Sequence, residues 1–235
     1  MYQYAEQLLD LIEQSPSRYH TTANLKNRLT AEGYALLAED AAWDVRPGGR
    51  YVVTRNDSSL LAFRVPEGEA AGFALAAAHS DSPTFQIKEQ AEKLSARCTV
   101  LDTERYGGML MNTWFDRPLS VAGRIIVERD GKLEARLVDV DQDLMIIPSV
   151  AIHMNRAAND GVKLLANVDT FPLLGCGAQD LRAIVAEAAD VAPEQILGHD
   201  LFLYLRGRGS ILGAAGELIG APKLDDLACA FALTE

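Results

Sequence analysis

The chain of 235 residues is poor in cysteine, in basic charge and in long apolar runs, and each shortage removes a class of function. Cys98, Cys176 and Cys229 are its only cysteines. Their odd number, wide spacing and lack of a C-x-x-C pair argue against both a disulfide framework and a thiolate zinc site. Lys and Arg total 22 against 33 Asp and Glu, a net charge of -11. Such a surface repels phosphate backbones, so nucleic acid is not an expected partner. No stretch approaches the roughly 20 apolar residues of a membrane-spanning helix. The N-terminal "MYQYAEQLLDLIEQ" carries glutamates where a secretory signal needs a basic region and an apolar run. The expected compartment is the cytoplasm. At 49% hydrophobic and 23% charged, without repeats or low-complexity tracts, the chain has the composition of one substantial core or two modest ones.

Tyr4, Leu8, Leu9 and Ile12 recur at helical spacing. After the turn "SPSRYHTT", a second helix is expected from about Thr22 to Ala31, capped by Thr21 or Thr22 and stopped near Gly33. Three apolar segments follow: "RYVVTR" from Arg50, "SLLAFRV" from Ser59 and "GFALAAA" from Gly72. The last, small and apolar on both faces, reads as a buried strand at the centre of an α/β sheet. His79 falls at its carboxyl end, where such sheets place their ligands. The texture then becomes β-rich. Leu119 to Val140 alternates apolar and polar around Asp130-Gly131, a hairpin with a primed turn. A helix follows at Ala178 and a strand from His199. After Gly209 the chain returns to a glycine-rich loop and an apolar helix starting near Asp226.

Candidate chemistry gathers at two places. In "AAAHSDSPTFQIK", His79 and Asp81 are two residues apart, so in extended chain both side chains point to one side. They are either a satisfied histidine beside a loop aspartate, or a metal ligand beside the carboxylate that orients it. In "APKLDDLACAFAL", Asp225 and Asp226 open a helix, where one aspartate suffices as cap. The second is left free. A carboxylate has two oxygens and can bridge two cations, and zinc accepts oxygen and imidazole donors.

Four ordered motifs resemble the M18 family of metallo-aminopeptidases, the aspartyl aminopeptidases: "HSDSP" behind its small-apolar run, "YGGMLMNTWFDRPLSVAGRIIV", "IPSVAIHMNR" and "LGAAGELIGAPKLDDL". "SPSRYHTT" and "GGRYVVTRNDSSLLAFRV" resemble it too, so the likeness covers essentially the whole chain. It implies a zinc-exopeptidase-like α/β/α catalytic domain with an inserted β-rich second domain. The expected division is 1–89 for the first part of the catalytic domain, 90–208 for the inserted dimerisation or lid domain, and 209–235 where the catalytic domain resumes. It implies two Zn2+ ions, with His79 as a zinc ligand and Asp225 as the bridging carboxylate. Asp81 is then the catalytic-site carboxylate behind the histidine, and His153 reaches a neighbouring subunit's substrate site. The implied function is removal of N-terminal residues, preferentially Asp or Glu, from peptides by a homo-oligomer joined through the inserted domain. The alternatives are a same-fold aminopeptidase with neutral-residue specificity and an inactive assembly module.

The family's Glu-Glu pair and its further aspartate and histidine ligands find no match here, so the chain is expected to be the N-terminal portion of a longer enzyme and inactive alone. Glu217 and Glu187 are the only glutamates near candidate loops. By residue type alone His153 reads as core or surface, and Trp114 to Arg117 as an interface or a bulky turn, the structural reading being preferred. "GRGSILGAAG" lacks G-x-G-x-x-G spacing and is not a dinucleotide loop.

Overall fold

Apolar periodicity and turn chemistry translate into fifteen regular elements in the computed structural model, which describes residues 2–235. They are α1 (Gln3–Glu13), α2 (Arg18–Ala31), β1 (Ala35–Leu37), β2 (Arg50–Arg55), β3 (Ser59–Arg64), β4 (Thr84–Ser95), β5 (Cys98–Tyr106), β6 (Leu119–Arg129) and β7 (Lys132–Asp139). There follow β8 (Leu173–Cys176), α3 (Leu181–Ala188), β9 (Ile196–Leu205), β10 (Ser210–Leu212), β11 (Leu218–Gly220) and α4 (Leu224–Thr234). Two compact units result: residues up to Ser82 with Gly207–Glu235, and the contiguous Pro83–Arg206. No helix among the described residues is long and apolar enough to cross a membrane.

The first unit mixes helix and sheet. β2 pairs parallel with β1 and antiparallel with β3, and β10 pairs with β11 as a separate hairpin. Leu8, Leu11 and Ile12 on α1, Leu25 on α2, and Leu227, Ala230 and Phe231 on α4 form its helical core. α2 begins at Arg18, earlier than the expected Thr22, and neither Thr21 nor Thr22 is its cap. Ser17 precedes the first turn with extended backbone, and its Oγ lies 2.8 Å from His20 Nδ1. The early start makes Tyr19 and Thr21 helical, where a turn at "SPSRYHTT" places them before the helix, and both are buried with Thr22.

A larger correction concerns "GFALAAA". It is irregular chain, and Phe73 and Leu75 are 95% and 88% exposed. A strand apolar on both faces is stable only between neighbours that supply ladder bonds and cover. Among the described residues the strands of this unit are β1 to β3 and the β10–β11 hairpin, and none of them pairs with it. Only Ala78, at its end, is packed against the helical core.

The second unit is a six-stranded sheet in the order β7-β6-β9-β4-β5-β8, with antiparallel pairing throughout. The Asp130-Gly131 turn has φ of 53° and 73°, the primed geometry expected of Asp-Gly between alternating strands. Ala96 and Arg97 make an equally tight turn at φ 49° and 67°, with no glycine to signal it. α3, capped by the Asp180 carboxylate accepting from the Ala183 amide at 3.0 Å, buries Leu181, Val185 and Ala186 in the same core as Phe85, Leu119 and Ile125. Trp114 meets Phe85 edge to face at 5.3 Å, so the Trp114 to Arg117 cluster includes a core anchor. Cys98 and Cys176, whose wide spacing in sequence gives no sign of a pair, stand directly opposite each other on β5 and β8.

His20 provides a test of the first unit. Burial, with Lys223 nearby adding repulsion, lowers its pKa from 6.5 to about 4. Between those values the unfolded chain takes up a proton that the folded chain refuses. Stability is therefore full above about pH 6.5 and falls as pH drops towards 4. Urea midpoints measured across that range should fall on acidification, and the slope should flatten in His20→Gln.

Candidate metal centre

The candidate site is positioned by apolar packing before any polar contact is made. α4 lies against α1, and Leu224 and Ala78 both close onto that cluster, so the residues next to Ala78 and Leu224 must approach each other. Lys223, at φ 60°, sends its ammonium back to donate to the Ile12 carbonyl at 2.9 Å and the Ser15 carbonyl at 2.6 Å. These carbonyls lie at and just beyond the end of α1, where a cation satisfies acceptors without helical partners.

The two aspartates that follow divide the work. Their backbone is not helical, with ψ of 105° at Asp225 and 26° at Asp226, and the peptide between them is cis. Asp226 accepts from the Cys229 thiol and from the amides of Cys229 and His79, the last at 3.2 Å. Those hydrogen bonds, the thiol's foremost, hold its carboxyl below the usual aspartate range. Asp226 therefore serves both as the helix cap and as a tie to the His79 backbone. Asp225 points away from the helix, and its side chain is 92% exposed. Its Oδ1 lies 2.9 Å from His79 Nε2. The Ser82 hydroxyl donates to the Asp225 carbonyl at 3.2 Å and fixes the other side of the turn.

The second ring nitrogen of His79 faces Asp81. Nδ1 lies 3.0 Å from Asp81 Oδ1 and 3.1 Å from the Asp81 carbonyl. Partial burial works to lower the imidazole pKa, but the hydrogen bonds to Asp81 and Asp225 outweigh it and raise the value above 6.5. The structure thus brings together three of the four residues singled out from the sequence, across 146 residues of chain between His79 and Asp225. His153 belongs to the other unit and lies exposed on an irregular turn.

An imidazole nitrogen and a carboxylate oxygen facing one point are donor types that zinc takes, and a carboxylate on the opposite ring nitrogen fixes the tautomer. In kind, then, the residues fit. In number they fall short: among the described residues no group of three or more His, Cys, Asp or Glu gathers to hold an ion, whereas an open catalytic zinc site normally has three protein ligands. No glutamate joins the cluster. Glu217 is engaged in the β10–β11 turn, where its carboxylate accepts from the Ala215 amide at 2.9 Å. Asp226 is the participant that sequence reading missed, having been assigned only the cap. The adjacency of two aspartates before an apolar helix was its signal.

Donors of this kind are those used by metal-dependent hydrolases. The family follows from the whole chain: residues 11–235 match the M18 family, described as aminopeptidase I zinc metalloprotease, and the chain belongs to it. A probable M18 family aminopeptidase 2 of Clostridium novyi (strain NT) is 41% identical over 99% of this chain and 56% of its own length. The probable M18 family aminopeptidase 2 of Ectopseudomonas mendocina (strain ymp) is 40% identical over 96% of this chain and 55% of its own. Among solved structures, Ape4 in its complex with Nbr1 superposes with a TM-score of 0.93 at 30% identity, over 98% of this chain and 49% of that one. The mApe1 dodecamer of S. cerevisiae gives 0.85 at 26%, over 99% and 55%. The chain spans about half the length of the relatives it matches.

The division of labour between the aspartates is testable. Asp226→Ala should lower the urea midpoint and Asp225→Ala should leave it unchanged, since only the first removes hydrogen bonds to the helix start. Leu227→Ala, which empties a position 1% exposed, should cost about 2 to 5 kcal/mol in the same measurement.

Proposed function

We propose that this chain supplies His79 and Asp225 as zinc ligands to an aminopeptidase that removes N-terminal residues, preferentially Asp or Glu, from peptides. The carrying observation is the convergence of His79 Nε2 and Asp225 Oδ1 at 2.9 Å, with Asp81 on the far ring nitrogen. Asp225, whose other oxygen is free of His79, is suited to bridge a pair of ions. Asp81 holds the imidazole so that Nε2 presents its lone pair. Asp226 fixes the backbone of His79 by accepting its amide proton. Zinc in such a site lowers the pKa of a bound water and polarises a carbonyl. The residues described here position those donors and supply no general base.

With two donors in place of three, we infer weak metal affinity and no turnover for this chain alone. The acidic preference rests on family resemblance. On a protein of net charge -11, a pocket for an acidic side chain needs a local cation. The Pro83–Arg206 unit is proposed as the inserted assembly domain of a cytoplasmic homo-oligomer, with His153 reaching a neighbouring subunit's substrate. That the S. cerevisiae mApe1 relative forms a dodecamer supports assembly.

Zinc titration followed by calorimetry should give weak binding that His79→Ala and Asp225→Ala abolish and that Asp81→Asn weakens about 10-fold to 100-fold. Aspartyl-, glutamyl- and leucyl-anilides should stay intact with this chain and be cleaved, acidic ones first, by a chain carried to the length of its relatives. Zinc binding unaffected by His79→Ala would sink the ligand assignment. Leucyl preference would favour the neutral specificity, and no hydrolysis by the longer chain an assembly role.

A further inference from the structure

We propose that Cys98 and Cys176 form a reversible intramolecular disulfide when the protein meets a small-molecule disulfide, making the β5–β8 edge a redox-modification site. The two residues are 78 positions apart, and their sulfurs lie 4.0 Å from each other, one thiol pointing at the other. They are direct partners in the antiparallel register of β5 and β8. The Gly177 amide donates to the Arg97 carbonyl at 2.8 Å, a bond that flanks the pair and marks it as a non-hydrogen-bonded position. At such positions the Cα atoms approach to about 4.5 Å, within the range of about 4.4 to 6.8 Å that a disulfide spans. Side-chain rotation alone then brings the sulfurs together.

A second feature holds the pair in place. The buried Thr99 hydroxyl donates to the Gly177 carbonyl at 2.7 Å and accepts from the Gln179 amide at 3.0 Å. Thr99 thus clamps the turn after Cys176 onto the strand that carries Cys98. Neither cysteine belongs to the candidate metal centre. Cys176 is exposed and Cys98 half-buried, so Cys176 is the thiol that an oxidant reaches first. Partial burial, then the hydrogen bond to Cys176, raise the Cys98 thiol above its ordinary value, which suits it to the slower, resolving role.

The chemistry is two exchange steps. Cys176 loses its proton to solvent and attacks one sulfur of the oxidant's disulfide, forming a mixed disulfide and releasing one small thiolate. Cys98, likewise deprotonated, attacks the Cys176 sulfur, forming the intramolecular bond and releasing the second thiolate. The protein loses two hydrogens as two protons and two electrons, and the small disulfide is reduced to two thiols. An exposed disulfide of this kind is of the labile class that cellular thiols reverse. While it lasts it ties the edge strand β8 to β5 and closes a loop that includes the irregular stretch bearing His153.

The test treats the intact chain with oxidised glutathione, alkylates it, and maps peptides by mass spectrometry, with Cys229 as internal reference. The expected result is one linked Cys98–Cys176 peptide pair, with alkylation of both falling by at least about tenfold while Cys229 still reacts. Dithiothreitol should restore both thiols, and the oxidised form should show a higher urea midpoint than the reduced one. Cys98→Ser should leave Cys176 carrying glutathione, and Cys176→Ser should leave Cys98 mostly reduced. Two thiols that stay reactive, separate glutathione adducts on each in the wild type, or a disulfide between chains would overturn the proposal.

Discussion

The packing of α4 on α1 is the contact on which the candidate site depends. Leu227 and Phe231 set the depth of α4, and Lys223 fixes where it begins by bonding carbonyls at the end of α1. With Ala78 seated in the same cluster, the chain just after it has little choice but to present His79 to Asp225. Polar geometry at this site is thus a product of apolar depth. A carboxylate that is 92% exposed holds its place because the residues on either side of it are anchored, and not through burial of its own.

The same logic explains what could and could not be read from the sequence. Asp-Gly between alternating segments announced the β6–β7 hairpin, because the requirement for positive φ is local. The convergence of His79 with Asp225 was legible only through ordered motifs spread along the chain, since nothing local links residues 146 apart. The Ala96-Arg97 turn carried no signal, because neither residue favours the left-handed region and the β4–β5 ladder imposes it. The pairing of Cys98 with Cys176 was hidden for a related reason: strand register is a property of the sheet, and spacing along the chain does not encode it.

"GFALAAA" marks the opposite limit. Its composition is that of a central strand, and composition states what surroundings a segment needs, not whether they are supplied. Phe73 and Leu75 stand in solvent here, leaving a locally apolar surface that prefers cover. The candidate metal centre has the same limit: His79 and Asp225 are donor types that zinc takes, and among the described residues no third His, Cys, Asp or Glu gathers with them to hold an ion.

The helical core of the first unit also has a temporal meaning. α1 and α4 lie more than 200 positions apart in the chain, and the whole Pro83–Arg206 unit is threaded between them. Closing so long a loop carries an entropic cost that local contacts do not repay, so structures built on distant contacts form slowly. The contiguous β unit, whose six sheet strands all lie between Thr84 and Leu205, can complete its sheet while the ribosome is still adding α4. Synthesis therefore imposes an order: the β-rich unit can mature first, and α1 waits for α4 to emerge before the face it packs against that helix is covered.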